Sequence, residues 1–212
     1  DQVFLDKLTI SPDRLYGLLA EGDIRPKTAQ PALKTVQNTL GYLAGHYESV
    51  IVLTVSDKLS GVYRTCRTAA AALSGKKISL VDGRNVSAGS GLLAARASEM
   101  IAAGKSHDEV VSALESWVPK TNLFVDVQTM KYAVRSGRVS RVKGLAARIL
   151  GLKPIIGVSA EGRLEAAGKS FSRSGNLSGI VRTIEAAVRK RPLWGYGLVH
   201  VRNPERASLY AE

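Results

Sequence analysis

The chain has 212 residues, of which 45% are hydrophobic and 23% are charged, and these ordinary values exclude disordered and collagen-like classes. Its single cysteine, Cys66, excludes an internal disulfide and favours a reducing, cytoplasmic compartment. No apolar run reaches the roughly 18 residues of a membrane span, and one cysteine with three scattered histidines offers no metal-ligand cluster. The net charge of +12 is unusual and first suggests a polyanionic partner.

The predicted elements alternate between strands and helices in the first half of the chain. Val50–Val55 is rich in β-branched residues, which is typical of a buried parallel strand, and Ala-rich helices follow it. In chain order the predicted helices cover 10–21, 32–45, 61–73, 88–103, 129–135, 140–150 and 175–190, with a last one beginning at Pro204; the predicted strands cover 50–55, 77–82, 123–127, 154–158, 163–167 and 198–201. Residues 160–162 are predicted as a hairpin turn. This order predicts an α/β fold with two domains, an open parallel-sheet α/β domain over 1–122 and an α+β domain over 123–212.

The positive charge is concentrated in the second domain. Residues 131–191 contain 14 Lys and Arg against 3 Asp and Glu, whereas the rest of the chain contains 16 against 15. A nucleic-acid-binding or regulatory protein using this face is one hypothesis, but aromatic residues are sparse there and no helix-turn-helix, RRM or KH signature is present. A solvated cationic face explains the same residues. We predict a docking face for an acidic partner protein or an anionic membrane surface, with Arg138 and Arg141 in it.

A short turn joins the first predicted strand to the helix that follows. Its residues, Ser56 to Gly61, fall at the carboxyl end of a parallel strand, where α/β sheets bind ligands. The first turn of the helix exposes N–H groups that favour an anion, the Ser60 hydroxyl is free to donate at or next to the N-cap, and Gly61 has no Cβ to keep a ligand away. The turn therefore suits a small anion such as a carboxylate or phosphate, although Ser60 as a helix cap alone explains the same residues.

Two further loops carry polar residues. In Lys27–Pro31, Thr28 adds a hydroxyl to the same anion if the loop folds over the strand ends, and a structural turn before the next helix is the alternative. The loop Asp82–Gly91 is rich in glycine but has neither a Gly-x-Gly-x-x-Gly pattern nor a Walker A motif, so nucleotide binding is weakly supported. We expect Gly89 and Gly91 to let their helix pack closely on a neighbour instead.

Catalytic groups are hard to assemble from this sequence. No nucleophile elbow is present, the carboxylates are scattered, and Cys66 falls within an Ala-rich helix, where we expect a packing residue. His200 is predicted to end a strand at a sheet edge, where it either contacts a ligand or is a structural histidine. A non-catalytic binding protein with no cofactor and no metal fits these residues better than an enzyme acting on an acyl or phosphate anion.

Five segments in a fixed order resemble motifs of the DegV family. Lys27–Pro31 is similar to the family's Lys-Thr-Ser-Gln-Pro, and Ser56–Tyr63 is similar to its Ser-Ser-Lys-Leu-Ser-Gly-Thr-Tyr. The other three segments, Asp82–Gly91, Met130–Ser140 and Leu152–Ile156, resemble the blocks Asp-Ser-x-x-Val-Ser-x-Gly-x-Gly, Leu-x-Tyr-Leu-x-x-Gly-Gly-Arg-Ile-Ser and Ile-Lys-Pro-Ile-Leu. A late His and Pro follow at positions 200 and 204. The order and spacing of these pieces make the resemblance specific.

The resemblance implies a two-domain bacterial fatty-acid-binding protein with the acyl chain buried between the domains. It maps the carboxylate onto Thr28, Ser60 and the N–H of Gly61, with His200 as an additional head-group contact. It also implies a non-catalytic carrier without a cofactor, which presents a long-chain fatty acid such as palmitate to a fatty acid kinase subunit. That separate subunit phosphorylates the carboxylate with ATP.

Several features depart from the family pattern. Ala29 and Ser136 replace a serine and a glycine, and Asp57 places an acid near Ser60 that would repel a carboxylate if it pointed inward. The family's opening strand and closing glycine-rich segment are absent, and the chain does not begin with Met. We therefore expect residues to be missing at the termini or at internal gaps.

Overall fold

The computed structural model describes residues 2–6, 8–21, 24, 26–127, 153–170, 172–190 and 192–211. Its helices are α1 (Pro12–Glu21), α2 (Leu33–His46), α3 (Val62–Ala71), α4 (Ser87–Ala102), α5 (His107–Trp117), α6 (Arg173–Val188) and α7 (Pro204–Ala211), with a 3₁₀ turn at Val118–Lys120. Its strands are β1 (Ser49–Thr54), β2 (Lys77–Asp82), β3 (Phe124–Asp126), β4 (Lys153–Val158) and β5 (Leu164–Ser170). Within these ranges the strands form a parallel sheet and an antiparallel sheet, which confirms the predicted α/β class.

The parallel sheet pairs β1 with β2. The register runs from Ser49 opposite Lys77 to Thr54 opposite Asp82, and α3 connects the two strands. This βαβ unit brings both carboxyl ends to one edge of the sheet. The core beneath it consists of apolar side chains that are at most 6% exposed: Val81, Leu93, Val110, Leu114 and Val118. Burial of each such side chain stabilises the fold by about 1.5–3 kcal/mol. The strands and helices that carry the loops at the carboxyl edge are therefore held by a well-packed core.

The antiparallel sheet has the order β3-β4-β5. Its register places Phe124 opposite Gly157 and Val158 opposite Leu164. Helix α6 packs on this sheet, and Ile155 of β4 and Ile180 of α6 are each 5% exposed. Gly179 of α6 lies so close to β4 that an added Cβ would be 3.4 Å from Ile155 Cδ1.

The strand predicted at 198–201 is wrong. Residues 192–200 have no regular secondary structure, and Leu198, Val199 and Val201 are between 43% and 74% exposed. Their β-branched composition favours a strand, but a strand also needs a hydrogen-bonded neighbour. Among the described residues, no strand pairs with this segment.

Helix α5 has no counterpart among the predicted elements. Ser106 is its N-cap, and Ser106 and Glu109 form a capping box. The Glu109 N–H donates to Ser106 Oγ at 3.3 Å, and the Ser106 N–H donates to Glu109 Oε2 at 2.8 Å. The Ser-x-x-Glu spacing at 106–109 is the sequence signal for the start of this helix.

The predicted helices at 129–135 and 140–150 lie outside the described residues, as do the basic residues of 131–150. The predicted domain boundary at 122/123 falls between the 3₁₀ turn and β3, and the division into two domains stays a prediction. Across the ranges that the structure describes, every helix is too short or too polar to cross a membrane.

Candidate functional site

Ser56 closes the turn that follows β1. Its carbonyl oxygen accepts from the N–H groups of Leu59 and Ser60 at 3.1 and 3.0 Å, and its Oγ accepts from the Lys58 N–H at 3.1 Å. Ser56 itself is fully buried. These bonds hold residues 57–61 in a compact turn in front of α3, at the carboxyl edge of the parallel sheet.

Ser60 and Gly61 lie directly before α3, which begins one residue later than the helix predicted at 61–73. Gly61 is the N-cap residue, and Ser60 Oγ accepts from the Val62 N–H at 3.4 Å. Within the described part of the chain, neither the Ser60 hydroxyl hydrogen nor the Gly61 N–H has an acceptor. Both groups are therefore available as donors at the positive end of the helix dipole.

The first loop folds against this turn. The side-chain amide of Gln30 lies over Gly61, so a Cβ built on Gly61 would overlap Gln30 Oε1 and lie 2.8 Å from Gln30 Cδ. Thr28 is exposed in the same loop, two residues earlier. The structure thus brings the loop that carries Thr28 against the turn that carries Ser60.

Asp57, the acid next to the turn, is paired with cations. Its carboxylate lies 3.3 Å from Lys58 Nζ and 3.4 Å from Arg64 Nη1, and its side chain is 21% exposed. The two cations offset its negative charge, which reduces the repulsion that an anion at Ser60 would meet.

The loop after β2 supports the same turn. The Asp82 carboxylate accepts from the N–H groups of Asp57 and Arg84 at 3.2 and 3.0 Å. The carbonyl oxygen of Asn85, which is buried, accepts from the Ser56 N–H at 2.9 Å. Asn85 was not among the predicted site residues, although it falls inside a segment that carries the family resemblance.

The expected helix-packing role of Gly89 and Gly91 is wrong. A Cβ on Gly89 would overlap the Asn85 side chain, so this glycine makes room for its own loop. A Cβ on Gly91 would meet no atom within 4 Å.

His200, weighed as a ligand contact, and Cys66, expected to be a packing residue, lie in different surroundings. His200 is exposed in the irregular segment before α7 rather than at a strand end, and its Nδ1 accepts from the Asn203 N–H at 3.2 Å. Over the described ranges no hydrogen bond joins His200 to Ser60, so its head-group role stays a prediction. Cys66 is buried in α3, and burial raises the pKa of its thiol, which disfavours the nucleophilic thiolate.

The turn between β4 and β5 reaches the same edge of the parallel sheet. Ser56 Oγ donates to the Gly162 carbonyl oxygen at 2.6 Å, and Arg84 Nη1 donates to the Ala160 carbonyl oxygen at 3.4 Å. Gly162 is buried and has a φ of +81°. The sequence predicts a turn at 160–162 but carries no signal for its contact with Ser56.

Asp126, at the end of β3, is the centre of a second polar cluster that sequence reasoning missed. Its carboxylate accepts from Asn176 Nδ2 at 2.8 Å, from Arg206 Nε and Nη2 at 2.9 and 2.7 Å, and from the Tyr210 hydroxyl at 2.9 Å. Burial opposes ionisation, but these bonds outweigh it and hold the pKa of Asp126 below its usual range. Burial and the bond to Asp126 raise the pKa of Tyr210 to about 12. The cluster joins β3 to α6 and α7.

Comparison with known sequences points to one family. The family model described as uncharacterised protein, DegV family, matches residues 1–212. A DegV domain-containing protein of Clostridium acetobutylicum is 30% identical over 163 residues, which are 76% of this chain and 58% of that protein. A DegV domain-containing protein of Deinococcus radiodurans is 30% identical over 168 residues, 79% of this chain and 59% of that protein. The chain therefore spans less than two thirds of the length of these curated relatives.

Solved structures share the fold. A DegV family protein from Thermus thermophilus, described by its fatty acid binding, has a TM-score of 0.81 at 27% identity, with 90% of this chain and 67% of that chain covered. A DegV family protein from Eubacterium eligens, loaded with heptadecanoic acid, has a TM-score of 0.79 at 25% identity, with 97% and 74% covered.

Proposed function

The chain belongs to the DegV family, and from this premise we propose that it binds a long-chain fatty acid. The hydroxyl groups of Thr28 and Ser60 and the N–H of Gly61 hold the carboxylate, and the acyl chain is buried between the 1–122 and 123–212 domains. The observation that carries the proposal is the packing of the first loop against the free donors of Ser60 and Gly61 in front of α3. The fatty acid binding described for the Thermus and Eubacterium proteins supports it.

Different forces hold the two ends of such a ligand. Hydrogen bonds from hydroxyl and N–H donors to a carboxylate are charge-assisted and contribute about 1.5–3 kcal/mol each. Burial of the acyl chain contributes about 0.8 kcal/mol per CH₂. The tail therefore supplies most of the affinity, and the donors determine which end of the ligand lies at Ser60.

We further propose that the protein presents the bound fatty acid, chemically unchanged, to a fatty acid kinase subunit in the cytoplasm. Donors such as those of Ser60 and Gly61 bind a carboxylate without attacking it, and the buried Cys66 fits a reducing compartment. In this proposal His200 adds a head-group contact, and the basic 131–191 face docks the partner protein or an anionic membrane surface. Formation of acyl phosphate only when this chain, the kinase subunit and ATP are all present would support it.

Lipid extraction and native mass spectrometry of the purified chain test the binding itself. We expect a bound acyl ligand, or binding of added palmitate by ligand-free protein. Ser60→Ala and Thr28→Val should each weaken palmitate binding by about tenfold or more, because each removes one hydrogen bond to a charged group. Ser112→Ala, at an exposed position on α5, is the control and should bind like the wild type. Wild-type protein with no acyl ligand and no affinity for palmitate would overturn the proposal.

A further inference from the structure

Ser56 connects the turn that carries Ser60 to the turn between β4 and β5, residues 159–163, called here the hairpin turn. Ser56 Oγ donates to the Gly162 carbonyl oxygen at 2.6 Å and accepts from the Lys58 N–H at 3.1 Å. The Ser56 carbonyl oxygen accepts from the Ser60 N–H at 3.0 Å, and its own N–H is bonded as well. Every polar atom of this fully buried residue is therefore paired.

The hairpin turn docks on Ser56 because residue 162 is glycine. Its φ of +81° is one that L side chains rarely adopt, and a Cβ would overlap Ser56 Oγ and lie 3.1 Å from Arg84 Cα. Arg84 Nη1 adds a bond to the Ala160 carbonyl oxygen on the other side of the turn. The hairpin turn thus lies directly against Ser56 and keeps water from its hydroxyl.

Release of the hairpin turn would leave the Ser56 hydroxyl without its acceptor. Water would then reach the hydroxyl, and without the bond to Gly162 that fixes its rotamer the Ser56 side chain would rotate toward the solvent. That rotation would remove the acceptor of the Lys58 N–H, which closes the 57–61 turn. The Ser60 hydroxyl and the Gly61 N–H, which are part of that turn, would be displaced with it.

We infer that the hairpin turn is a positioning element for the carboxylate site and that Ser56 is the positioning residue through which it acts. The inference rests on the proposed fatty acid binding. With the hairpin turn docked, the donors of Ser60 and Gly61 are held where one carboxylate can accept from both. With it undocked, the site still takes an acyl tail but loses its preference for the acid.

Gly162→Ala tests this with palmitate and hexadecanol as paired ligands. The two share a hydrocarbon tail and differ in the head group, so the ratio of their Kd values reports the carboxylate contacts alone. We expect Gly162→Ala to lower the preference for palmitate by about tenfold while the affinity for hexadecanol is unchanged. Gly75→Ala is the matched control, because Gly75 has a φ of +79° with no atom within 4 Å of an added Cβ. It carries the same backbone strain without the overlap and should keep the preference.

Ser56→Ala removes the same hydrogen bond without introducing a steric overlap, so it tests the inference even if Gly162→Ala does not fold. It should show the same loss of preference, and the double variant should lose no more than either single variant, because both changes act through one hydrogen bond. The inference would be overturned if the variants lost affinity for palmitate and for hexadecanol by the same factor. It would also be overturned if Ser56→Ala kept the wild-type preference for palmitate. Wild-type protein that does not distinguish palmitate from hexadecanol would overturn the proposed carboxylate site itself, and the inference with it.

Discussion

Gly61 is the residue at which the first loop and the Ser60 turn meet. Its φ of −77° is open to any residue, so the requirement for glycine here is spatial rather than conformational. A side chain at this position would occupy the space that the Gln30 amide fills. The position therefore tests whether the packing of the first loop matters for the ligand.

Gly61→Ala should displace the Gln30 loop and weaken palmitate binding by about tenfold, the loss expected for one misplaced charge-assisted hydrogen bond. Gly91→Ala on α4 is the control, since an added Cβ there meets no atom within 4 Å. It should leave binding unchanged and stabilise the fold by about 0.5–1 kcal/mol, because alanine is the better helix residue. Isothermal titration and thermal unfolding measure the two effects. Equal palmitate affinity in Gly61→Ala and the wild type would show that the loop does not help to hold the ligand.

The residues of the site differ in how far the sequence could predict them. Ser60 and Gly61 stand between a β-branched run and an Ala-rich helix, so local pattern places them at a strand end and a helix start. The polar loop at 27–31 suggests Thr28 only if that loop folds over the strand ends, and the family resemblance then assigns it to the carboxylate. The contact of Ser56 with Gly162 spans 106 positions, and no local pattern encodes which turn packs on which strand end.

Helix α5 and the segment at 198–201 show that amino-acid composition alone does not decide whether a helix or a strand forms. The 198–201 run has the composition of a strand, but in the described part of the chain it has no neighbour to bond with. The Ser106 and Glu109 capping box satisfies orphan N–H groups at the start of α5, and this local signal is present in the sequence although the helix was not among the predicted elements. Caps can be found from the sequence, whereas strand partners depend on the whole fold.

Glu109 makes the stability of α5 depend on pH. Hydrogen bonds from the Ser106 backbone and side chain, and then from Lys105, lower the pKa of Glu109 from 4.5 to about 2. A carboxyl group with a lowered pKa stabilises the fold above its ordinary pKa, and that contribution is lost as the pH falls toward the folded value. Glu109→Gln should therefore melt at a lower temperature than the wild type above pH 4.5, and the two melting temperatures should converge between pH 4.5 and about 2. A difference that stays constant over this range in circular dichroism melts would contradict the assignment.

The segment between α6 and α7 links the two sheets. Trp194 lies against α4, where the Arg96 guanidinium is 5.0 Å from its ring centroid. Farther along the segment, the Arg202 guanidinium lies 4.4 Å from the ring centroid of Tyr16 in α1. The chain then enters α7, which returns to Asp126 in the antiparallel sheet. The Asp126 cluster therefore attaches α7, and with it the end of this segment, to the antiparallel sheet. Weakening the hydrogen bonds of the cluster should detach α7 before the other elements.

Asp126→Asn keeps the shape of the side chain but removes the charge that pairs with Arg206, whose side chain is 14% exposed. We expect a loss of about 1–3 kcal/mol at pH 7, because the substitution removes the carboxylate that accepts two charge-assisted hydrogen bonds from the Arg206 guanidinium. Since the pKa of Asp126 is held below its ordinary 3.8, this contribution is present above that pH and is lost as the pH falls through the folded value. Denaturant unfolding at neutral and low pH measures the loss, and amide hydrogen exchange locates it in α7. Tyr210→Phe, which removes one hydrogen bond, should cost about 1 kcal/mol. An Asp126→Asn variant as stable as the wild type at pH 7 would show that the cluster adds no net stability.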